Sequence, residues 1–123
     1  LEINIMNTEQ VIADLNGDRH HIEAYVLVRE IRLCLDIEHC SFHPYVRIKI
    51  WKSDLIPDTP YHFTLSHEIH IPNEGAYHPS GTLADSESLA IFLAINAIMY
   101  SFDQGVSKGM HPDETWMKPC PDF

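Results

Sequence analysis

The chain has 123 residues, 45% of them hydrophobic, and its 18 Asp and Glu against 8 Lys and Arg give a net charge of −10. That hydrophobic share supports a folded core and argues against a largely disordered chain. Because nucleic acids and anionic membranes are bound by clustered Lys and Arg, the acidic balance predicts neither nucleic acid nor membrane as a partner. The length predicts a single domain over residues 1–123. The prolines of residues 106–123 predict an extended C-terminal tail.

Cysteine usage and the N-terminal residues bear on the cellular compartment. Cys34, Cys40 and Cys120 form an odd set without a CxxC pair, which disfavours a disulfide framework and predicts reduced thiols. Residues 1–6 lack the basic start and the long apolar core of a signal peptide. A cytoplasmic protein is therefore expected.

The region from Asn7 to Asn16 fits two local structures. Asn7 followed by Gln10 is typical of a capped short helix that stops at Asn16-Gly17. The same Asn-Gly pair also favours a type I′ turn, which would make the region one arm of a β-hairpin. Farther on, residues 21–37 are also ambiguous, because Ala24, Leu27, Ile31 and Leu35 fall on one helical face. Apolar and polar residues alternate over residues 29–37, so we favour a strand for this second half.

Two clearer strands follow. Val46, Ile48 and Ile50 alternate with polar neighbours, and a similar alternation runs from Tyr61 to Ile71 after a loop rich in proline and aspartate. Paired in antiparallel fashion, these strands give a sheet with one apolar and one polar face. The apolar face then requires a covering layer.

That covering layer is predicted at Leu83 to Gln104. Thr82 with Asp85 resembles a capping box, and Gly105 suits a C-cap. From Leu89 to Tyr100 the segment is apolar almost all round, which predicts a core helix covered on more than one side, and the run is too short to span a bilayer. The expected fold is α+β, with two layers: an antiparallel sheet packed against one long buried C-terminal helix.

The tail carries large apolar side chains at Trp116, Met117 and Phe123. Such groups are usually buried, and aromatic and Met side chains are also enriched at protein interfaces. The tail is therefore expected either to pack back on its own core or to dock on a neighbouring subunit, and the sequence leaves both open.

Nine histidines provide the most specific candidates for a binding site. His67 falls in the apolar row of its strand, facing the helix, where a neutral imidazole could be an axial ligand of haem or of another flat apolar cofactor. The alternative is a hydrogen-bonded core histidine. Tyr77 and His78, before the helix, are candidate contacts for a neutral or cationic ligand, because Asp85 and Glu87 at the helix start would repel an anion.

A bound transition metal is another hypothesis. His39, Cys40 and His43 lie close enough in sequence to share a metal ion, although a structural site lacks a fourth ligand unless Cys120 joins them. The segment His67-Glu68-Ile69-His70 superficially resembles the zinc-protease motif HExxH. Its histidines are three residues apart instead of four and lie on a predicted strand, where they point to opposite faces, so we reject a metalloprotease.

The polar face of the same strand offers the residue types of a hydrolytic triad in Ser66, Glu68 and His70. Neighbours on one face of a strand lie about 6.6 Å apart, which exceeds hydrogen-bond reach. Cross-strand charge pairs on a solvated sheet explain the same residues.

The main functional prediction is a small acidic binding domain without a catalytic motif, which acts as a homo-oligomer or with a protein or small-molecule partner. Haem or metal binding through histidine ligands is the alternative. A hydrolase that uses the polar sheet face is a second, weaker alternative.

Overall fold

The computed structural model describes residues 7–16, 23–37, 41–76 and 81–123. An antiparallel sheet packs against a long C-terminal helix, which confirms the predicted α+β fold. The elements in chain order are helix α1 (Thr8–Asn16), strands β1 (Val26–Cys34), β2 (Tyr45–Lys52), β3 (Tyr61–Leu65), β4 (His67–Ile71), β5 (Gly75–Ala76) and β6 (Leu83–Ala84), helix α2 (Glu87–Ser107), a 3₁₀ turn (Glu114–Trp116) and strand β7 (Met117–Pro119).

The strands form a main sheet and a smaller second sheet. In the main sheet the order is β1-β2-β3-β6, and in the second sheet it is β5-β4-β7. Neighbouring strands are antiparallel in both. Because α2 contacts β2 and β3 of the main sheet and β4 of the second, one hydrophobic core serves both sheets.

β2 has the alternation that its sequence predicts. Val46, Ile48 and Ile50 are fully buried beneath α2, whereas Tyr45 and Arg47 are exposed on the opposite face. This is the expected pattern for an antiparallel strand with one face on the core.

The predicted continuous strand from Tyr61 to Ile71 is wrong at its centre. The chain bends at Ser66, and the two halves, β3 and β4, belong to different sheets. Local alternation does not reveal the bend because apolar residues recur at every second position in each half, and the new pairing partner of β4 comes from the distant C-terminal tail.

The N-terminal region is a helix, not a hairpin arm. The Gln10 N–H donates to the Asn7 side chain (2.8 Å), as the capped-helix interpretation requires. α1 buries Ile12, and Lys52 Nζ donates to the Glu9 carboxylate (2.6 Å), which ties α1 to the end of β2. The strand expected from residue 29 is β1, which starts at Val26.

α2 begins later than predicted. Its N-cap is Ser86, whose hydroxyl accepts a hydrogen bond from the Leu89 N–H (3.1 Å), so the proposed Thr82 cap is wrong. Residues 83–84 instead form β6, which pairs with β3. Sheet pairing satisfies the backbone groups of these residues before the helix starts.

α2 is buried along one side only. Ala94, Ile98 and Phe102 are buried, whereas Phe92 and Tyr100 are 59% and 48% exposed. The expected cover on more than one side is wrong, because two layers provide a single covering surface. By length and composition alone α2 also fits a membrane span, contrary to our expectation, although the core helix of a soluble protein passes the same test.

Gly105 is a close-packing site and not the predicted helix end. A Cβ atom here would lie 2.3 Å from Cη2 and 2.5 Å from Cζ3 of Trp116. The Trp116 ring is buried and stacks on Phe102, with centroids 6.0 Å apart and planes 8° apart. α2 continues to Ser107, and the left-handed residue after its end is Gly109, with a φ of +80°.

The C-terminal tail packs on its own core. Trp116 fills the space above Gly105, and β7 pairs with β4 through Ile69↔Met117 and His67↔Pro119. The expectation of an extended tail over residues 106–123 is therefore wrong in part. Strand pairing with β4 and burial of Trp116 give this segment regular structure despite its prolines.

Replacement of Gly105 by alanine is expected to lower the free energy of unfolding by about 1–3 kcal/mol, because the new methyl group overpacks the core against Trp116. At an exposed helix position the same change would raise that free energy by about 1 kcal/mol. Urea denaturation measures whether Gly105→Ala lowers or raises the free energy of unfolding. Gly81→Ala is the control, since its Cβ would meet no atom within 4 Å. Stabilisation by Gly105→Ala would contradict the packing.

Candidate functional site

Ser66 joins the two sheets. Its N–H donates to the Arg47 carbonyl (2.9 Å), and its own carbonyl accepts from the Cys120 N–H (2.8 Å). Its hydroxyl oxygen accepts from the Arg47 N–H (2.8 Å). At 5% exposure, Ser66 depends on these partners, since an unsatisfied buried polar group is costly. The main sheet therefore ends at Ser66. The strand that follows, β4, pairs with β7 of the C-terminal tail instead.

His67 is held by the same hydroxyl group. Its Nδ1 lies 2.7 Å from Ser66 Oγ. Burial and, secondly, the positive charge of Arg47 lower the pKa of His67, so the imidazole is neutral at neutral pH. Ser66 Oγ therefore joins two partners, the Arg47 N–H, which donates to it, and His67 Nδ1.

A cleft of about 290 Å³ opens beside His67, where the sheets part beneath α2. His67 lines this cleft together with Ala97 and Ile98 of α2. Ser101 of α2 and Thr64 of β3 add polar groups to a mostly apolar wall. The apolar lining consists of Phe63, Leu65, Ile69, Ala97, Ile98 and Phe123.

The charged residues in the described lining of the cleft are Glu68 and Asp122. Burial, followed by the negative charges of these two carboxylates, raises the pKa of the Cys120 thiol, which also lines the cleft. Cys120 is therefore a protonated thiol at neutral pH and a poor nucleophile. The cleft combines an apolar wall with an acidic end.

Phe123 forms one wall of the cleft and is fixed by cations of β2. Lys49 Nζ donates to the Phe123 carbonyl (2.5 Å) and lies 4.2 Å from the centre of its ring. Arg47 lies over the same ring at 4.9 Å. These contacts are favourable cation–π geometries, so this wall is an ordered part of the site.

The candidate residues outside β4 are not assembled into a site within the described structure. His43 is exposed and lies 3.5 Å from the Asp36 carboxylate. His39 and Cys40, its proposed metal-binding neighbours, and the proposed ligand contacts Tyr77 and His78 lie outside the described residues. Among the residues that the structure does describe, no group of three or more His, Cys, Asp or Glu side chains could hold a metal ion.

The hydrolytic residue types pair differently from the predicted arrangement. Ser66 is buried and bonded to His67, whereas His70 Nε2 lies 3.1 Å from Glu68 Oε2. The bend at Ser66 breaks the single polar face on which the three residues were placed. The structure therefore shows two separate polar pairs and no Ser–His–Glu relay.

Sequence reasoning missed the contribution of α2 and of the tail to the cleft. Ala97 and Ser101 line it, and Gly105 one turn later receives Trp116. These small residues recur every four positions along α2. That spacing is a signal of close approach by another segment, although it does not identify the segment.

Comparisons with protein-family models, with curated proteins and with solved structures give no match for this chain.

Acidification below about pH 6.5 should destabilise the fold through His62 and His67. Burial lowers the pKa of His62, as burial and Arg47 lower that of His67. The unfolded chain then binds these protons more readily than the folded chain, so the free energy of unfolding falls as the pH drops through the ordinary histidine range, near 6.5.

Urea denaturation at pH 7.5 and 5.5 measures this loss. It should be larger in the wild-type protein than in His62→Gln/His67→Gln, because carboxylates that titrate in the same interval act equally in both proteins. An equal loss in the two proteins would show that these imidazoles titrate alike in the folded and unfolded chains.

Proposed function

We propose that the protein binds a small, largely apolar molecule in the cleft between its sheets and α2. The observation that supports this most strongly is the cleft itself, about 290 Å³ in volume with apolar walls and a few polar groups near His67. Small-molecule sites share that character and measure roughly 300–1,000 Å³. The volume lies just below this range and suits a ligand smaller than haem.

The charges around the cleft favour a neutral or cationic ligand. Glu68 and Asp122 line it, and their negative charge acts on the thiol of Cys120 between sheet and tail. The net charge of −10 also attracts cations and repels anions at longer range. The ligand would place its apolar body against Ala97 and Ile98 and a polar or positive end towards the carboxylates.

Filling the cleft by Ala97→Phe should weaken ligand binding. The probes are 2-phenylethylamine, 2-phenylethanol and 3-phenylpropanoate, which share an aryl-alkyl body and differ in charge. In amide NMR titrations, the amine and the alcohol are expected to bind the wild-type protein more tightly than the acid. Ala97→Phe should weaken their binding by about tenfold or more, because the apolar body can no longer be buried.

Asn96→Phe is the matched control, since it adds the same ring one position away, at an exposed site of α2. Asn96→Phe should bind the amine and the alcohol as tightly as the wild-type protein does. Two results would contradict the proposal: unchanged binding by Ala97→Phe, or no binding of any probe to the wild-type protein. Equal affinity for acid and amine would contradict the charge preference.

The outer side of α2 supports self-association as a second candidate function. Leu89, Phe92 and Tyr100 follow one another at helical spacing and are 37%, 59% and 48% exposed. A two-fold interface requires a surface that complements itself. An apolar helix side meets this requirement in a protein whose net charge of −10 otherwise opposes contact between copies.

Light scattering during size-exclusion chromatography should give the mass of a dimer, and Phe92→Lys should give that of a monomer. Leu55→Lys is the matched control, because Leu55 is also an exposed apolar residue, at 46%, but lies in the loop between β2 and β3. A monomer mass for the wild-type protein at every concentration would exclude this second function.

A further inference from the structure

A basic groove lies on the face of the main sheet turned away from α2. Its volume is about 360 Å³, and its lining residues are Arg32, Tyr45, Arg47, Ser66 and His67. Arg47 alternates along β2 with residues that are buried beneath α2, which places the groove on the opposite face. The chain has 8 Lys and Arg residues against 18 Asp and Glu residues, so a cluster of two arginines on one surface contrasts with its acidic composition.

Arg32 and Arg47 lie directly opposite each other on the neighbouring strands β1 and β2. Like charges at directly opposed positions are destabilising, because their side chains start about 5 Å apart. Arg47 Nη1 lies 3.4 Å from the Glu30 carboxylate, a distance at the outer limit of a hydrogen bond. Arg32 forms no ion pair with any residue in the described ranges.

Aromatic rings position both guanidinium groups. Arg32 lies over the Tyr45 ring at 4.2 Å, and Arg47 over the Phe123 ring at 4.9 Å. Contact with a ring restrains a guanidinium group without using its N–H donors. As far as the described residues go, Arg32 and Arg47 therefore keep donors available at the groove, beside the neutral imidazole of His67.

We propose that this groove binds a phosphate monoester, with Arg32 and Arg47 as its charged contacts. A phosphate monoester carries nearly two negative charges at neutral pH, which matches two guanidinium groups. Guanidinium forks bind phosphate oxygens in pairs. The groove exceeds the size of a phosphate group and leaves space for the organic group, which would lie beside Tyr45.

This anion site is independent of the proposed ligand cleft, although His67 borders both. The acidic wall of the cleft, Glu68 and Asp122, would repel a phosphate. We therefore expect the phosphate monoester to bind in the groove and the apolar ligand to bind in the cleft.

Phenyl phosphate and benzoate are the probes for a binding test by isothermal titration calorimetry at low salt. Phenyl phosphate should bind more tightly than benzoate. Arg32→Gln and Arg47→Gln should each weaken phenyl phosphate binding by roughly tenfold, the usual size of one charged hydrogen-bonded contact. Glu30→Gln should strengthen it, because the competing carboxylate beside Arg47 is removed.

Arg29→Gln is the charge-matched control, because Arg29 lies on β1 but pairs with Glu87 at the start of α2. It should leave phenyl phosphate binding nearly unchanged, as should Ala97→Phe, which blocks only the cleft. Equal weakening by Arg29→Gln and Arg47→Gln would overturn the site in favour of general charge attraction. No measurable binding to the wild-type protein, or benzoate as strong as phenyl phosphate, would also overturn it, whatever the outcome at the cleft.

Discussion

The bend at Ser66 is the constraint on which the rest of the structure depends. Its backbone groups and its hydroxyl bond to Arg47 on one side and to Cys120 on the other. A chain that would otherwise continue as one strand is thereby divided between two sheets. The division opens the cleft beneath α2 and directs His67 to its edge, so the same hydrogen bonds that complete the fold also create the candidate site.

The C-terminal tail closes the gap that this division leaves. β7 supplies backbone partners to β4, Trp116 fills the core against Gly105, and Phe123 forms a wall of the cleft under the cations of β2. Removal of the tail would therefore expose a strand edge and part of the core together. The fold and the cleft are built from the same segment, which explains why a tail rich in proline carries such large apolar side chains.

The sequence predicted what depends on local periodicity. The alternation in β2 and the apolar length of α2 gave the correct layers. Contacts between distant segments were not predictable from the sequence. Ser66 fits an alternating polar face as well as a bend. Gly105 fits a helix C-cap as well as a position where the Trp116 ring packs directly against the helix backbone. Ala97 and Cys120, which line the cleft, are brought together only by tertiary packing.

The central claim is that the cleft is the ligand site, and nuclear Overhauser contacts locate a ligand most directly. With alanine and isoleucine methyl groups labelled, bound 2-phenylethylamine should give contacts from its ring protons to the methyl groups of Ala97 and Ile98, which line the cleft. Contacts to Ile56, whose side chain is exposed in the loop between β2 and β3, would instead place the ligand on the surface and contradict the claim.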